Sequence, residues 1–147
     1  MSKILILYYS RTGNTERMAN AIAEAIKKFE EVGVDVKYHV DARNLADYDA
    51  IIVGTPTYHH DIALTIKDIF ENASIKNVNL KGKLGTAFGS YGWSGEAPRL
   101  VLEIMENKFE MEVIKPPLLI KYTPDESGLE KCREFGRMIA ERVIQKD

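Results

Sequence analysis

Residues 4–15 read Ile4-Leu5-Ile6-Leu7-Tyr8-Tyr9-Ser10-Arg11-Thr12-Gly13-Asn14-Thr15, an apolar run followed directly by polar side chains and one glycine. A continuous apolar run with β-branched and aromatic members is typical of a strand covered on both faces. Apolar residues then recur at helical spacing, at Met18, Ile22, Ala25, Ile26 and Phe29. The segment therefore predicts a buried strand, a short polar loop and an amphipathic helix.

Strands and helices continue to alternate along the rest of the chain. Residues 50–55 form another apolar run and residues 84–90 a fourth strand, whereas residues 34–40 alternate apolar with polar, as in a strand with one solvated face. The last strand region, 112–122, contains two prolines, which an edge strand tolerates best. Helical stripes are predicted at 62–73, 100–105 and 129–143, and 41–48 is long enough for one turn.

This alternation predicts an α/β fold, in which a five-stranded parallel sheet carries helices on both faces as a three-layer sandwich. Strands one, three and four look covered on both faces, and strands two and five look like edges. The strand order 2-1-3-4-5 agrees with this, because it places strands two and five at the edges of the sheet and the other three inside it. Ligands of such sheets bind beyond the carboxyl ends of the strands, at the switch point between strands one and three. The loops after Tyr9, Thr55 and Ser90 are therefore the candidate site.

Composition narrows the class of protein. The 147 residues fit one domain, 1–147, and 45% hydrophobic with 29% charged residues is ordinary for a globular protein. A net charge of −2 argues against a nucleic-acid partner. The single cysteine, Cys132, lies on an apolar helical stripe and is expected to be a packed core thiol. The N-terminal apolar run is too short for a signal peptide or a membrane span. We expect a cytoplasmic monomer or weak homodimer that does not contact membranes.

The first loop, Ser10 to Thr15, joins a buried strand to a helix N-terminus, where free N–H groups and the helix dipole favour an anion. Hydroxyl and amide side chains can donate further hydrogen bonds, Gly13 allows close approach, and Arg11 adds a cation that faces either the anion or the solvent. These residues predict a phosphate site. The alternative is that Thr12 or Asn14 only caps the helix.

The sequence also limits which phosphate this loop could bind. Neither G-x-G-x-x-G nor G-x-x-x-x-G-K-[ST] is present, so a dinucleotide pyrophosphate and nucleotide hydrolysis are disfavoured. The loop contains no cysteine nucleophile, and strands one and three end in Tyr9 and Thr55 rather than in a phospho-accepting aspartate. The phosphate ligand that remains for this loop is a terminal phosphomonoester.

The second and third loops carry aromatic residues where polar ones are usual. Thr55-Pro56-Thr57-Tyr58-His59-His60-Asp61 contains Tyr58, and Gly89-Ser90-Tyr91-Gly92-Trp93-Ser94-Gly95-Glu96-Ala97 contains Tyr91 and Trp93. Rings around one crevice predict a flat aromatic ligand, the alternative being that they pack onto the strand ends. The adjacent histidines point in different directions, so a metal site is not expected. No Ser-His-Asp or paired-carboxylate arrangement stands out.

A terminal phosphate at the first loop and a planar ring between the other two describe flavin mononucleotide (FMN). The sequence here resembles the flavodoxins over essentially its full length. Ser10-Arg11-Thr12-Gly13-Asn14-Thr15-Glu16 is similar to their hydroxyl-rich phosphate loop. Thr55-Pro56-Thr57-Tyr58 and Ala87-Phe88-Gly89-Ser90-Tyr91-Gly92-Trp93-Ser94-Gly95 resemble the flavodoxin domain of flavodiiron proteins still more closely. The resemblance does not extend to the metal-binding domain of those proteins, so it implies neither oxygen nor nitric oxide reduction.

The resemblance implies a flavodoxin-like fold, non-covalent FMN, transfer of one or two electrons, and redox proteins as partners. It also implies ring contacts from Thr57, Tyr58, Tyr91, Gly92 and Trp93. The residues expected to hold the cofactor are Ser10, Arg11, Thr12, Gly13, Asn14, Thr15, Thr55, Pro56, Thr57, Tyr58, His59, Ser90, Tyr91, Gly92, Trp93 and Gly95. The leading hypothesis is an electron carrier without catalytic residues. The alternatives are an NAD(P)H-dependent FMN or quinone reductase and a module that has lost its flavin.

Three features depart from the flavodoxin pattern. No glycine lies between Gly54 and Gly82, so a positive φ in the second loop would fall on a residue such as His59 or His60. Many flavodoxins are strongly acidic, whereas a charge of −2 predicts weak steering towards a basic partner. Finally, a carboxylate of Glu96 or Asp61 near the ring would repel reduced flavin and lower its potential.

Overall fold

The strand predicted from residues 4–9 lies inside a mainly parallel sheet. The computed structural model describes residues 1–58 and 60–146. Its strands are β1 (Ser2–Tyr8), β2 (Val32–Lys37), β3 (Ala50–Gly54), β4 (Thr57–Tyr58), β5 (Asp61–Ile62), β6 (Leu84–Tyr91), β7 (Glu112–Val113) and β8 (Leu118–Lys121). The α-helices are α1 (Asn14–Ile26), α2 (Leu64–Ile75), α3 (Glu96–Phe109) and α4 (Glu126–Lys146), and Ala42–Asp47 forms a 3₁₀ helix.

The sheet has the order β2-β1-β3-β6, and β6 also pairs with β7 and with β8, all in parallel. β7 and β8 together occupy the fifth position, so the predicted order 2-1-3-4-5 is confirmed. The edge strand is divided because Pro116 and Pro117 cannot donate ladder hydrogen bonds. β4 and β5 form a separate antiparallel hairpin within the second loop.

Alternate residues of the central strands face two hydrophobic cores. Leu5 and Leu7 of β1 contribute to the core beneath α2 and α3, and Ile4 and Ile6 contribute to the core beneath α1 and α4. These four side chains have no solvent exposure. The structure thus explains why residues 4–7 are apolar without alternation: both sheet faces are covered.

Two local predictions from the sequence, for Cys132 and Ile62, can be compared with this arrangement. Cys132 is fully buried in the α1/α4 core, and burial raises the pKa of its thiol to about 11, which confirms a packed rather than a reactive cysteine. The assignment of Ile62 to a helical stripe was wrong, because Ile62 lies in β5 and α2 begins only at Leu64. Ile62 is buried like the helix residues after it, so burial alone did not distinguish the two elements.

The carboxyl ends of β3 and β6 approach each other closely at the site edge. A Cβ atom on Gly89 would collide with the carbonyl oxygen of Thr55, a backbone atom that cannot move aside. The amide of Thr55 also donates to the carbonyl of Phe88 at 3.0 Å. The second loop therefore starts directly against β6.

Among the described residues, 1–58 and 60–146, no helix has the length and hydropathy needed to cross a membrane.

Candidate functional site

The first loop is organised around the hydroxyl group of Ser10. Its Oγ accepts hydrogen bonds from the backbone amides of Gly13, at 3.1 Å, and Glu16, at 3.2 Å. Gly13 is the N-cap of α1 and has a φ of 91°, a left-handed conformation that glycine adopts without strain. No side chain caps the helix at this residue, so the alternative in which Thr12 or Asn14 is the cap is wrong.

This geometry leaves two backbone donors at the start of α1. Asn14 and Thr15 are the first two residues of the helix, and such residues have no intrahelical acceptor for their N–H groups. The Thr15 side chain is buried, and its Oγ1 lies 3.2 Å from Ser90 Oγ on β6, which ties the loop to the sheet. Amides at a helix N-terminus, flanked by hydroxyl groups, are suited to bind a phosphate oxyanion.

Arg11 and Thr12 lie exposed at the rim of this loop. A cavity of about 580 Å³ lies against it, lined by Tyr8, Tyr9, Ser10, Arg11, Gly13, Glu16, Tyr38, His39 and Thr65. His39 is exposed, and the sequence did not indicate its position beside the first loop. That position follows from the sheet order, because β2 and β1 are neighbours and their carboxyl ends lie side by side.

Tyr8 connects the first loop to α1. Its hydroxyl donates to Glu16 Oε2 at 2.9 Å. Burial and the Glu16 carboxylate raise the pKa of Tyr8 above its ordinary value, since both disfavour the tyrosinate. The Tyr8 hydroxyl therefore keeps its proton next to the first loop.

The side chain of Thr55 links the two ends of the second loop. This buried hydroxyl donates to the carbonyl of Pro56 at 2.9 Å and accepts from the amide of Ala63 at 3.1 Å. Its side chain thus supports the loop itself. Tyr58 is half-buried and stands edge-on to Tyr9, with ring centroids 6.2 Å apart and an interplanar angle of 83°. Burial raises the pKa of Tyr58, an effect that the Arg11 charge partly opposes.

The second and third loops are joined by side chains far apart in sequence. Thr57 Oγ1 accepts a hydrogen bond from the amide of Ala97, in the first turn of α3, at 3.0 Å. His60 Nδ1 lies 2.8 Å from Glu96 Oε2 and 3.4 Å from Ser94 Oγ. The backbone of His60 has a φ of 64°, in the left-handed region. A positive φ was expected on a residue such as His59 or His60; His59 lies outside the described residues.

The third loop presents an exposed tryptophan. The Trp93 side chain is 88% exposed, so it does not pack onto the strand ends, and its ring lies 6.0 Å from that of His60. Ser90 is buried, whereas Tyr91 is half-buried and packs beside Gly95. Gly92 lies next to Tyr122, the residue that directly follows β8, and the sequence did not indicate this contact. A ring with one open face is available for stacking.

Family comparison now identifies this arrangement, since residues 6–136 match the family model described as flavodoxin. The chain belongs to the flavodoxin family. FMN binding and electron transfer are the functions that this membership supports, and the predicted fold and family are confirmed. A flavodoxin from the domain Archaea superposes with a TM-score of 0.86 and 38% identity, over 96% of this chain and 98% of that one. For flavodoxin 1 of Bacillus cereus the TM-score is 0.85, with 29% identity and coverage of 95% and 98%.

Curated relatives extend the flavodoxin comparison to longer proteins. The type A flavoprotein FprA of Rhodobacter capsulatus is 35% identical over 95% of this chain and 33% of its own length. A nitric oxide reductase of Moorella thermoacetica is 30% identical over 97% of this chain and 36% of its own. The chain thus spans about one third of the length of these curated relatives. The resemblance to the flavodoxin-like domain of flavodiiron proteins is confirmed.

The residues of this flavodoxin fit FMN at both ends of the cofactor. The amides of Asn14 and Thr15 match a terminal phosphate, and the rings of Tyr58 and Trp93 match a planar ring system. The carboxylate of Asp61 accepts a hydrogen bond from Lys67 Nζ at 2.6 Å, and this hydrogen bond lowers the pKa of the Asp61 carboxyl. In the part of the chain that the structure describes, no group of three His, Cys, Asp or Glu residues could hold a metal ion.

Proposed function

We propose that this chain holds FMN without a covalent bond, with the phosphate at the N-terminus of α1. The observation that carries the proposal is the division of donors in the first loop. Ser10 Oγ accepts hydrogen bonds from the amides of Gly13 and Glu16. The amides of Asn14 and Thr15 have no intrahelical acceptor and can donate to a ligand. Arg11 and Thr12, at the exposed rim, add a positive charge and a hydroxyl donor.

The ring system belongs between the second and third loops in this proposal. Thr57, Tyr58, Tyr91, Gly92 and Trp93 are its contacts, and Thr55 and Ser90 hold the loops in place from beneath. Pro56 and Gly95 shape the two loops, and a contact from His59 stays a prediction. FMN supplies the electron-transfer chemistry when bound, while these side chains bind it, orient it and exclude water.

The activity we propose is that of an electron carrier between other redox proteins, with residues 1–147 acting as one unit. An NAD(P)H-dependent reductase needs open space over the flavin ring for nicotinamide, and Tyr58 and Trp93 flanking the ring would occupy it. The cytoplasm is the proposed compartment, in keeping with membership of the flavodoxin family. Cell fractionation checks the compartment; recovery outside the cytoplasm contradicts it.

A two-step experiment tests the carrier proposal. The apo-protein is first titrated with FMN and with riboflavin, and binding is followed by the emission of Trp93, the single tryptophan. We expect FMN to bind at least tenfold more tightly, about 1.4 kcal/mol, because only FMN has the phosphate. Equal affinity would exclude the phosphate site. NADPH and NADH are then added under argon; persistence of the yellow colour supports a carrier, and rapid bleaching identifies a reductase.

A further inference from the structure

Three side chains of the third loop meet around His60 of the second loop. Its Nδ1 lies 2.8 and 3.1 Å from the two carboxylate oxygens of Glu96, and 3.4 Å from Ser94 Oγ. The ring of Trp93 lies 6.0 Å from the imidazole, tilted by 56°. The second loop thereby contacts the third through a histidine that the flavin-binding residues do not include.

The backbone at His60 shows why these contacts matter. Histidine is uncommon at a φ of 64°, so surrounding contacts must hold this conformation. Glu96 is in turn held in place, as the first residue of α3, where its carboxylate also faces the positive end of the helix dipole. The pair therefore connects a strained loop to a rigid helix.

Charge balance is the second consequence of this pairing. A carboxylate close to reduced FMN opposes the negative charge that reduction adds, and a hydrogen-bond partner beside the carboxylate offsets part of that repulsion. Neighbouring Asp61 has its own partner in Lys67, at 2.6 Å. Glu96 is thus a carboxylate at this edge of the site whose hydrogen-bond partner is His60.

We propose that the His60–Glu96 pair is a latch between the second and third loops that slows the release of FMN and balances the charge at the edge of the ring. This inference rests on the proposed FMN site. His60 and Glu96 are positioning residues in it, because they act through the loops rather than by stacking on the flavin. Exposed ion pairs contribute little to folding stability, so the latch should affect cofactor retention rather than the fold.

The first test measures the rate at which FMN dissociates from His60→Asn, Glu96→Gln and the double variant. Asparagine tolerates the left-handed region, so His60→Asn removes the imidazole and keeps the backbone. We expect each single change to raise the rate about three- to tenfold, and the double change to add nothing further. Glu130→Gln, which removes a remote ion-pair partner on α4, is the matched control and should leave the rate unchanged. Unchanged rates, or rates that multiply in the double variant, would overturn the latch.

The second test measures the midpoint potential of bound FMN in the two single variants. Glu96→Gln should raise the potential because it removes a negative charge, and His60→Asn should lower it because it removes the hydrogen-bond partner that offsets this charge. A merely structural role would move both in the same direction, and that result overturns the charge balance.

Emission of Trp93 in the apo-protein provides a test that needs no flavin. The His60 ring lies 6.0 Å from this single indole, so we expect both His60→Asn and Glu96→Gln to change its emission. If wild type fails to bind FMN but the emission changes, the proposed function fails and only the contact between the two loops is supported. If FMN binds and the emission is unchanged, the latch is wrong and the proposed function stands.

Discussion

The first loop and the pair formed by the second and third loops serve the same site but are held together differently. In the first loop, the Ser10 hydroxyl bonds to amides three and six residues away. The other two loops are joined by contacts that span 34 to 40 residues, from His60 to Ser94 and Glu96 and from Thr57 to Ala97. The phosphate end of the site is thus built by local chain geometry, and the ring end is built by the sheet that brings distant segments together.

The largest expected effect comes from separating the strands that support the ring end. Gly89→Ala places a methyl group against the Thr55 carbonyl, so we expect a loss of about 3 kcal/mol in unfolding free energy and loss of FMN binding. Urea denaturation of the apo-protein measures it. Gly33→Ala is the control, because its new methyl group lies 3.2 Å from the flexible end of Met1 and at an ordinary 4.0 Å from the Ser2 carbonyl oxygen. Equal stability of the two variants would contradict the close approach.

The local construction of the phosphate end is tested by Ser10→Ala. The change leaves the amides of Gly13 and Glu16 without their acceptor, and we expect FMN to bind about tenfold more weakly, which is about 1.4 kcal/mol. Titration of the apo-protein with FMN measures the affinity, and Ser127→Ala on α4 is a control with no expected change. Riboflavin affinity should fall less, since it lacks the phosphate; an equal loss for both ligands would refute a local role.

A smaller effect is expected from Thr57→Val, which removes the acceptor for the Ala97 amide at the ring end. The His60 contacts remain, so we expect FMN affinity to fall about threefold, by roughly 0.7 kcal/mol. The same titration measures it. A loss greater than that of Ser10→Ala would show that long-range contacts dominate the whole site, and the contrast between the two regions would then need revision.

Tyr48 provides a change that should leave both regions intact. It is only 4% exposed, its hydroxyl donates to Asp35 at 2.7 Å, and burial together with this carboxylate raises its pKa to about 12. A raised pKa favours the protonated folded state, so its contribution to stability is present below about pH 10 and is lost as the pH rises towards 12. Tyr48→Phe should flatten this alkaline decline in unfolding free energy without altering FMN affinity. A decline as steep as in wild type would contradict the shift.

Most of the fold could be predicted from short-range patterns. The uninterrupted apolar residues of β1 and β3 indicated cover on both faces, and the alternation in β2 indicated an edge, so the strand order followed. The prediction was wrong where an element was too short to have a period. The hairpin β4–β5 has two residues in each strand, and Ile62 therefore matched the helical spacing of Ile66 by coincidence.

The sequence by itself determined the main strands and helices, the strand order and the polar character of the first loop, because periodicity and turn geometry act over a few neighbouring residues. Only the tertiary structure decided that Thr15 meets Ser90, 75 residues away, and that His60 pairs with Glu96. Nothing local marks such partners. They meet because parallel strands align their carboxyl ends at one edge of the sheet, and the order of the strands then selects which loops become neighbours.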